Sequence, residues 1–306
     1  MAYLMEISFD NSCRLALNQY LFEYHGVRFK LVQDKTRKWA DHLLTVVPMG
    51  DTAAQDRAFA AACEFVSALG WELHARVAVW ESGGGGWPDD LPLSKAKPNI
   101  FVFPHVPFAG NLVNCHLRRL PHVKTNEQRV ALALFREATS SNSVYLSFLF
   151  YWQILEVGGD DHDPASFVDE TLREQPLGFY VDPAHLAELP LGSRSLGEYL
   201  SDDCRHAIAH IRRWPGKKVL DLDRRDERSR LVGSVRVIKT FAEYFVRERL
   251  GLKDYVYLVR LRRKGFPIFL DSQTIAECET WRAYAEPDLH PMFRMALKGK
   301  CRNPQL

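Results

Sequence analysis

The stretch Val144–Val157, VYLSFLFYWQILEV, constrains the fold more than any other part of the chain. Apolar and aromatic side chains occupy nearly every position, so a helix built from it has no face suited to water. It is shorter than the roughly 20 residues a bilayer-spanning helix needs, and Gly158-Gly159 stops it. The reading is a central, buried helix, with Glu156 its only acidic residue.

Its neighbours also read as helices. Thr125 and Gln128 (TNEQ) form a capping box, and Ala131, Leu134, Phe135 and Ala138 follow on one face. The SSNS run at 140–143 separates that helix from the central one. Residues 158–192, rich in Asp, Gly and Pro, read as a long loop. Ser195 and Glu198 (SLGE) offer a second capping box, and Asp202 and Asp203 lie where a helix start favours negative charge. Pro215-Gly216 ends this segment. A last helix spans about 223–251, with Leu231, Val235, Ile238, Ala242 and Phe245 as its buried stripe and Gly251 just past its end.

The first hundred residues differ. VRFKLVQ (27–33), HLLTVV (42–47), HARVAVW (74–80) and NIFVF (99–103) are β-rich. Asp51 caps a helix whose apolar positions are Ala58, Ala61, Ala62, Phe65 and Leu69. Gly83–Gly86 precedes Trp87-Pro88, and no Gly-Lys-Ser/Thr follows it. A flexible hairpin or lobe loop is therefore expected rather than a phosphate loop. The tail offers strands at 255–261 and 267–270 and a helix near 274–285. The fold class is α+β: a small mixed α/β domain over 1–120, a helical domain over 125–252, and a short β-containing tail, 253–306, packing on the N-terminal domain.

The net charge of +2 over 306 residues gives no general attraction to polyanions, so any such attraction must be local. Residues 156–203 hold 12 Asp/Glu against 2 Lys/Arg, whereas residues 205–264 hold 18 Lys/Arg against 7 Asp/Glu. The second stretch is interleaved with Trp214, Tyr244, Tyr255 and Tyr257, a composition that suits either a solvated surface or a nucleic-acid backbone. Six cysteines without a CxxC pair form neither a zinc site nor a disulfide scaffold, which points to reduced thiols in a cytoplasm. Met1–Phe9 lacks the features of a secretory signal, and no membrane partner is expected.

The charge switch falls at SDDCRHAIAHIRR, residues 201–213. His206 and His210, four apart, share a helix face and raise a metal hypothesis. The zincin pattern needs Glu where Ala207 stands, no third ligand lies nearby, and the DDHD stretch at Asp160–Asp163 is a long loop away. No metal or other cofactor is expected. Arg205 and His210 suggest different chemistry. RNA carries its own nucleophile, the 2′-OH, so cleavage needs only a base for that proton and a fixed cation for the phosphorane. Imidazole suits the first task and guanidinium the second. Five residues apart, the two diverge by about 140° on an α-helix. A local helix distortion, or two motifs meeting across a two-fold axis, would let both reach one phosphate. Cys204 reads as a core position from its spacing with Ile208 and Ile211. His105, His116 and His122, scattered among prolines, are given no role.

RHAIAH at 205–210, preceded by Asp202-Asp203, resembles the R-x(4–6)-H motif of the HEPN superfamily, closest to its ApeA-like branch. ALALFREATSSNSVYLSFLFYWQILE (131–156) is similar to that branch's first two helices, and ERLGL (248–252) fits the closing helix. The resemblance implies a four- or five-helix domain, usually dimeric, and in active members a metal-independent RNA endonuclease. Its motif residues map to Arg205 and His210. His206 stands where many relatives have Asn. Glu156 matches an acidic position on the second helix that orients the arginine or holds the core together. Arg212, Arg213, Lys217 and Lys218 directly follow the motif and are candidate RNA-binding residues. The partners implied are RNA and a second copy of the chain, with a regulatory protein or ligand at the N-terminal domain. The role implied is a toxin or phage-defence effector. The competing reading is a non-catalytic RNA- or nucleotide-binding scaffold. The whole chain is also similar to bacterial methylamine-utilisation accessory (MauJ-like) proteins, a label from genetic neighbourhood that implies no chemistry.

Overall fold

The computed structural model describes residues 1–12, 14–15, 18–34, 36, 38–100, 102, 112–113, 120–121, 123–159, 162–176, 179–209 and 224–252. An N-terminal antiparallel sheet is followed by helices. The chain divides into two compact units, the first built on Met1–Leu120 and the second opening at Pro121.

The first unit holds β1 (Ala2–Asn11), β2 (Arg14–Leu15), β3 (Gln19–Tyr24), β4 (Val27–Val32), β5 (Asp41–Pro48), α1 (Thr52–Leu73), β6 (Val77–Trp87) and β7 (Leu112–Val113). Five strands form an antiparallel sheet in the order β3-β4-β5-β1-β6, while β2 and β7 make a separate parallel pair. β1 starts in the opening residues and is buried from Leu4 onward, between two partners. The two-residue pleat turns Met5, Ile7 and Phe9 towards Ala58, Ala62, Phe65 and Leu69 of α1. Asp51 caps α1, its carboxylate accepting from the Ala54 N–H at 2.8 Å.

The other face of β1 carries buried polar groups. Glu6, with no exposure, accepts from the backbone N–H groups of Asn99 (2.7 Å) and Ile100 (3.1 Å) and pairs with His42 Nδ1 at 2.8 Å. Asn99 and Ile100, expected to open a strand, are therefore tied to a carboxylate instead of a ladder; Phe101 and Phe103 lie outside the described residues. The glycine run is a second correction. Gly83–Gly86 is not a loop but part of β6, registered opposite Glu6, Met5, Leu4 and Tyr3. A Cβ at Gly83 would sit 2.6 Å from Ile100 Cδ1, and one at Gly84 only 2.0 Å from the Leu4 carbonyl oxygen. These glycines permit close approach rather than flexibility.

The second unit holds α2 (Asn126–Ser140), α3 (Val144–Glu156), α4 (Pro164–Glu174), α5 (Pro183–Ala187), α6 (Leu196–Glu198), a π-helical turn (Tyr199–His206), α7 (Ala207–Ala209), α8 (Arg225–Tyr244) and a second π-helical turn (Phe245–Arg249). Both capping boxes form. α3 lies against α2 and α8, with Phe148, Tyr151, Trp152, Ile154 and Leu155 buried, but it is not buried all round as expected: Leu146, Gln153 and Glu156 are exposed. Gln128 also donates to the Leu250 carbonyl at 2.7 Å, tying the start of α2 to the end of the closing helix. In α8, Leu231, Ile238 and Ala242 are buried as expected; Val235 is half-buried, and Val237 and Phe241 share the stripe.

Residues 158–192, expected as loop, contain α4 and α5. Each starts at an Asp-Pro pair: Asp163 and Asp182 accept backbone N–H groups, and the proline takes the first helical position, where no N–H is missed. Asp163 is thus a cap, while Asp160 and Asp161 lie outside the described residues. The His162 ring packs 5.3 Å from both Phe167 and Phe245. The tail elements expected over 255–285 also lie outside the described residues. Among the described residues, no helix is long and apolar enough to cross a membrane.

Two tests follow from this packing. Gly84→Ala should cost at least about 2 kcal/mol in urea unfolding, and Gly85→Ala, with open space around its Cβ, under about 1 kcal/mol. His162 is held below the ordinary histidine range by burial and by Arg249, against the opposing pull of Asp163 and Glu170. Acidification below about pH 6.5 therefore protonates the unfolded chain first, and stability falls until the folded ring titrates. Urea midpoints measured at several pH values should show this slope in the native protein and a shallower one in His162→Phe.

Candidate functional site

The segment before Arg205 is a wide turn for a reason legible in its side chains. In an α-helix the position four after Tyr199 shares its face, and that position is Asp203. Burying a carboxylate there would cost several kcal/mol, on the order of the desolvation penalty of an ion. The π-helical turn moves the core-facing register on by one residue. Tyr199 and Cys204, five apart, are both fully buried and both reach Ser234 Oγ on α8, at 3.2 Å and 3.5 Å. Burial pushes the Cys204 thiol up, so it stays a neutral donor to that oxygen. Asp203 is turned outward and forms an ion pair with Arg194. The entry to the turn is fixed by Gly197, whose N–H donates to Asp169 Oδ1 at 2.8 Å; a Cβ there would meet the Ala165 carbonyl oxygen at 2.2 Å.

Arg205, next after buried Cys204, is half-buried. Its Nη2 lies 3.5 Å from Glu156 Oε1 at the end of α3. The same oxygen accepts the indole N–H of Trp152 at 2.8 Å, one helical turn back, so the carboxylate is anchored to the core helix. Arg205 Nη1 is 3.2 Å from His206 Nδ1. A guanidinium can only donate, so Nδ1 is the acceptor and the neutral ring carries its proton on Nε2. The structure thus brings together Arg205, His206 and Glu156. His210, Arg212, Arg213, Lys217 and Lys218 lie outside the described residues.

Three further residues shape this site without a signal strong enough to single them out in the sequence: Trp152, Arg194 and Arg230. The spacing Glu227–Arg230–Ser234 on α8 (i, i+3, i+7) marks a polar strip on an otherwise apolar face, and would have been the clue. Much of the positive charge described after residue 205 is met locally. Arg224 pairs with Asp226, Arg230 with Glu227, and Lys239 and Arg247 with Glu243, while Arg249 lies 5.8 Å over the Phe167 ring. Among the described residues, no three His, Cys, Asp or Glu side chains converge as metal ligands would.

Residues 131–247 match the family described as methylamine utilization protein MauJ, and over these residues the chain is similar to that family. The match covers less than half of the chain and includes Glu156, Arg205 and His206. No curated protein and no solved structure matches the chain.

Because the Arg205 and Glu156 side chains are each about a third exposed, at 31% and 39%, their pairing should contribute under about 1 kcal/mol. Arg205→Ala, which removes the pair but leaves the Trp152 indole N–H its acceptor, is expected to leave the thermal midpoint within a few degrees of the native value. A cooperative transition with that small shift marks the pair as an orienting contact; a large drop marks it as part of the fold.

Proposed function

We propose that this protein is a metal-independent endoribonuclease of HEPN type, acting as a toxin or phage-defence effector. The observation that carries the reading is the presentation of Arg205. A π-helical turn lifts it out of the core, and Glu156 and His206 brace it at the surface. A guanidinium held in this way keeps its fork geometry for two phosphate oxygens.

In the proposed reaction His210 takes the proton of an RNA 2′-OH. The freed 2′-oxygen attacks the adjacent phosphorus, and Arg205 stabilises the charge of the phosphorane. The bond to the 5′-oxygen then breaks, and that oxygen takes a proton. The products are a 2′,3′-cyclic phosphate and a 5′-OH. Two motifs of a homodimer line one cleft, and Arg212, Arg213, Lys217 and Lys218 supply contacts to the RNA backbone. No cofactor is required, and the protein acts in the cytoplasm.

Purified protein should cut RNA in EDTA and leave 2′,3′-cyclic ends. His210→Ala and Arg205→Ala should each lower cleavage by at least about 100-fold. Activity that disappears with chelator and returns with zinc overturns the mechanism. RNA binding with a steep salt dependence but no turnover, unchanged in His210→Ala, replaces it with a scaffold or binding role.

A further inference from the structure

We infer that Arg230 on α8 is a positioning residue for Arg205, acting through the turn Tyr199–His206. The inference deepens the nuclease reading and rests on it for the activity that is positioned, but not for the geometry. A wide helical turn is rare, and something must hold it open. The Arg230 guanidinium spans it. Nη1 donates to the Tyr199 hydroxyl at 3.0 Å and approaches Cys204 Sγ at 3.6 Å, and Nη2 donates to the Asp203 carbonyl at 3.3 Å. Nε donates to Glu227 Oε2 at 3.0 Å, which fixes the fork from its own helix.

The first, fifth and sixth residues of the turn thus hang on one planar group, and Arg205 is the seventh. Asp203 is held twice, through its carbonyl by Arg230 and through its carboxylate by Arg194. Both arginines also lie over the Tyr199 ring, at 5.7 and 5.8 Å. With a side-chain exposure of 18%, Arg230 faces the interior of the unit rather than a substrate, so it acts through the turn and not on the phosphate. Lysine cannot replace it: one ammonium on a flexible stem cannot span Tyr199, Asp203 and Glu227 in a fixed fork.

Removing Arg230 alone would strand Glu227, which is 6% exposed, so the test uses a balanced pair of changes. The double variant Glu227→Gln/Arg230→Met should unfold cooperatively and keep KM for RNA within about threefold. Its kcat should fall about 30- to 100-fold, as expected for a small misplacement of a reacting group. Arg230→Lys, which keeps the charge beside Glu227, should fold and still lose kcat; full rescue by lysine reduces Arg230 to a charge partner and overturns the inference. Amide hydrogen exchange at Asp203–His206 should quicken in both variants but not in Arg205→Ala. Unchanged exchange with native kcat also overturns it. If the native protein cuts no RNA, the nuclease reading fails, and the exchange rates alone decide whether Arg230 holds the turn.

Discussion

Burial of α3 is the requirement on which the second unit depends. Phe148, Tyr151, Trp152, Ile154 and Leu155 are each at most 3% exposed, and burying one such side chain is worth about 1.5–3 kcal/mol. Leu146, Gln153 and Glu156 stay exposed, and the buried side chains are covered where α2 and α8 flank the helix. Polarity returns where the buried helix ends. The Trp152 indole N–H cannot be left without an acceptor, and Glu156 supplies one a turn later. A carboxylate fixed by a core tryptophan is then available to Arg205. Packing of the interior therefore sets the anchor point of the site.

The first unit solves a different problem. Its sheet has an apolar face against α1; among the described residues the opposite face has a smaller apolar cluster, Leu4, Leu44 and Ala96 with Val32, Val46, Trp87 and Leu93 packed on it. Buried polar groups do the remaining fastening. Glu6 binds the backbone of Asn99 and Ile100, and the Lys30 ammonium donates to the Ser94 and Ala96 carbonyls at 2.6 and 2.7 Å. Burial lowers the Lys30 pKa, with Lys97 and Lys95 adding to the effect, so these bonds are made at an electrostatic cost. Apolar contact is tolerant of sliding, whereas a carboxylate facing two N–H groups is not. The segment after Trp87 is thus held in one register, and Gly83 of β6 leaves room for Ile100 to lie on the sheet.

What was legible in the sequence was local chemistry. The capping boxes at Thr125 and Ser195, the Asp51 cap and the apolar run of α3 each announce a helix within a few residues, although the run did not reveal that Leu146 and Gln153 stay exposed. The misses are long-range. β1 carries Glu6, Ser8 and Asp10 on one face, and the partners that make Glu6 and Ser8 admissible in a core lie more than 30 residues away. Gly83–Gly86 reads as a breaker until β1 is known to lie against it. The helices α4 and α5 were within reach, since Asp163-Pro164 and Asp182-Pro183 are start signals; the surrounding Gly and Asp residues outweighed them.

The wide turn lies between these cases. An α-helix run through SDDCRH places Asp203 under Tyr199, where Ser234 could not neutralise it. A single added residue per turn exchanges that aspartate for Cys204, a small group that tolerates burial as a neutral thiol. Asp203 gains Arg194, Tyr199 keeps Ser234, and the next residue, Arg205, emerges beside Glu156. Asp203, which looked like helix-start decoration, is the reason the helix widens. Exposure of the arginine follows from what the core refuses to accept.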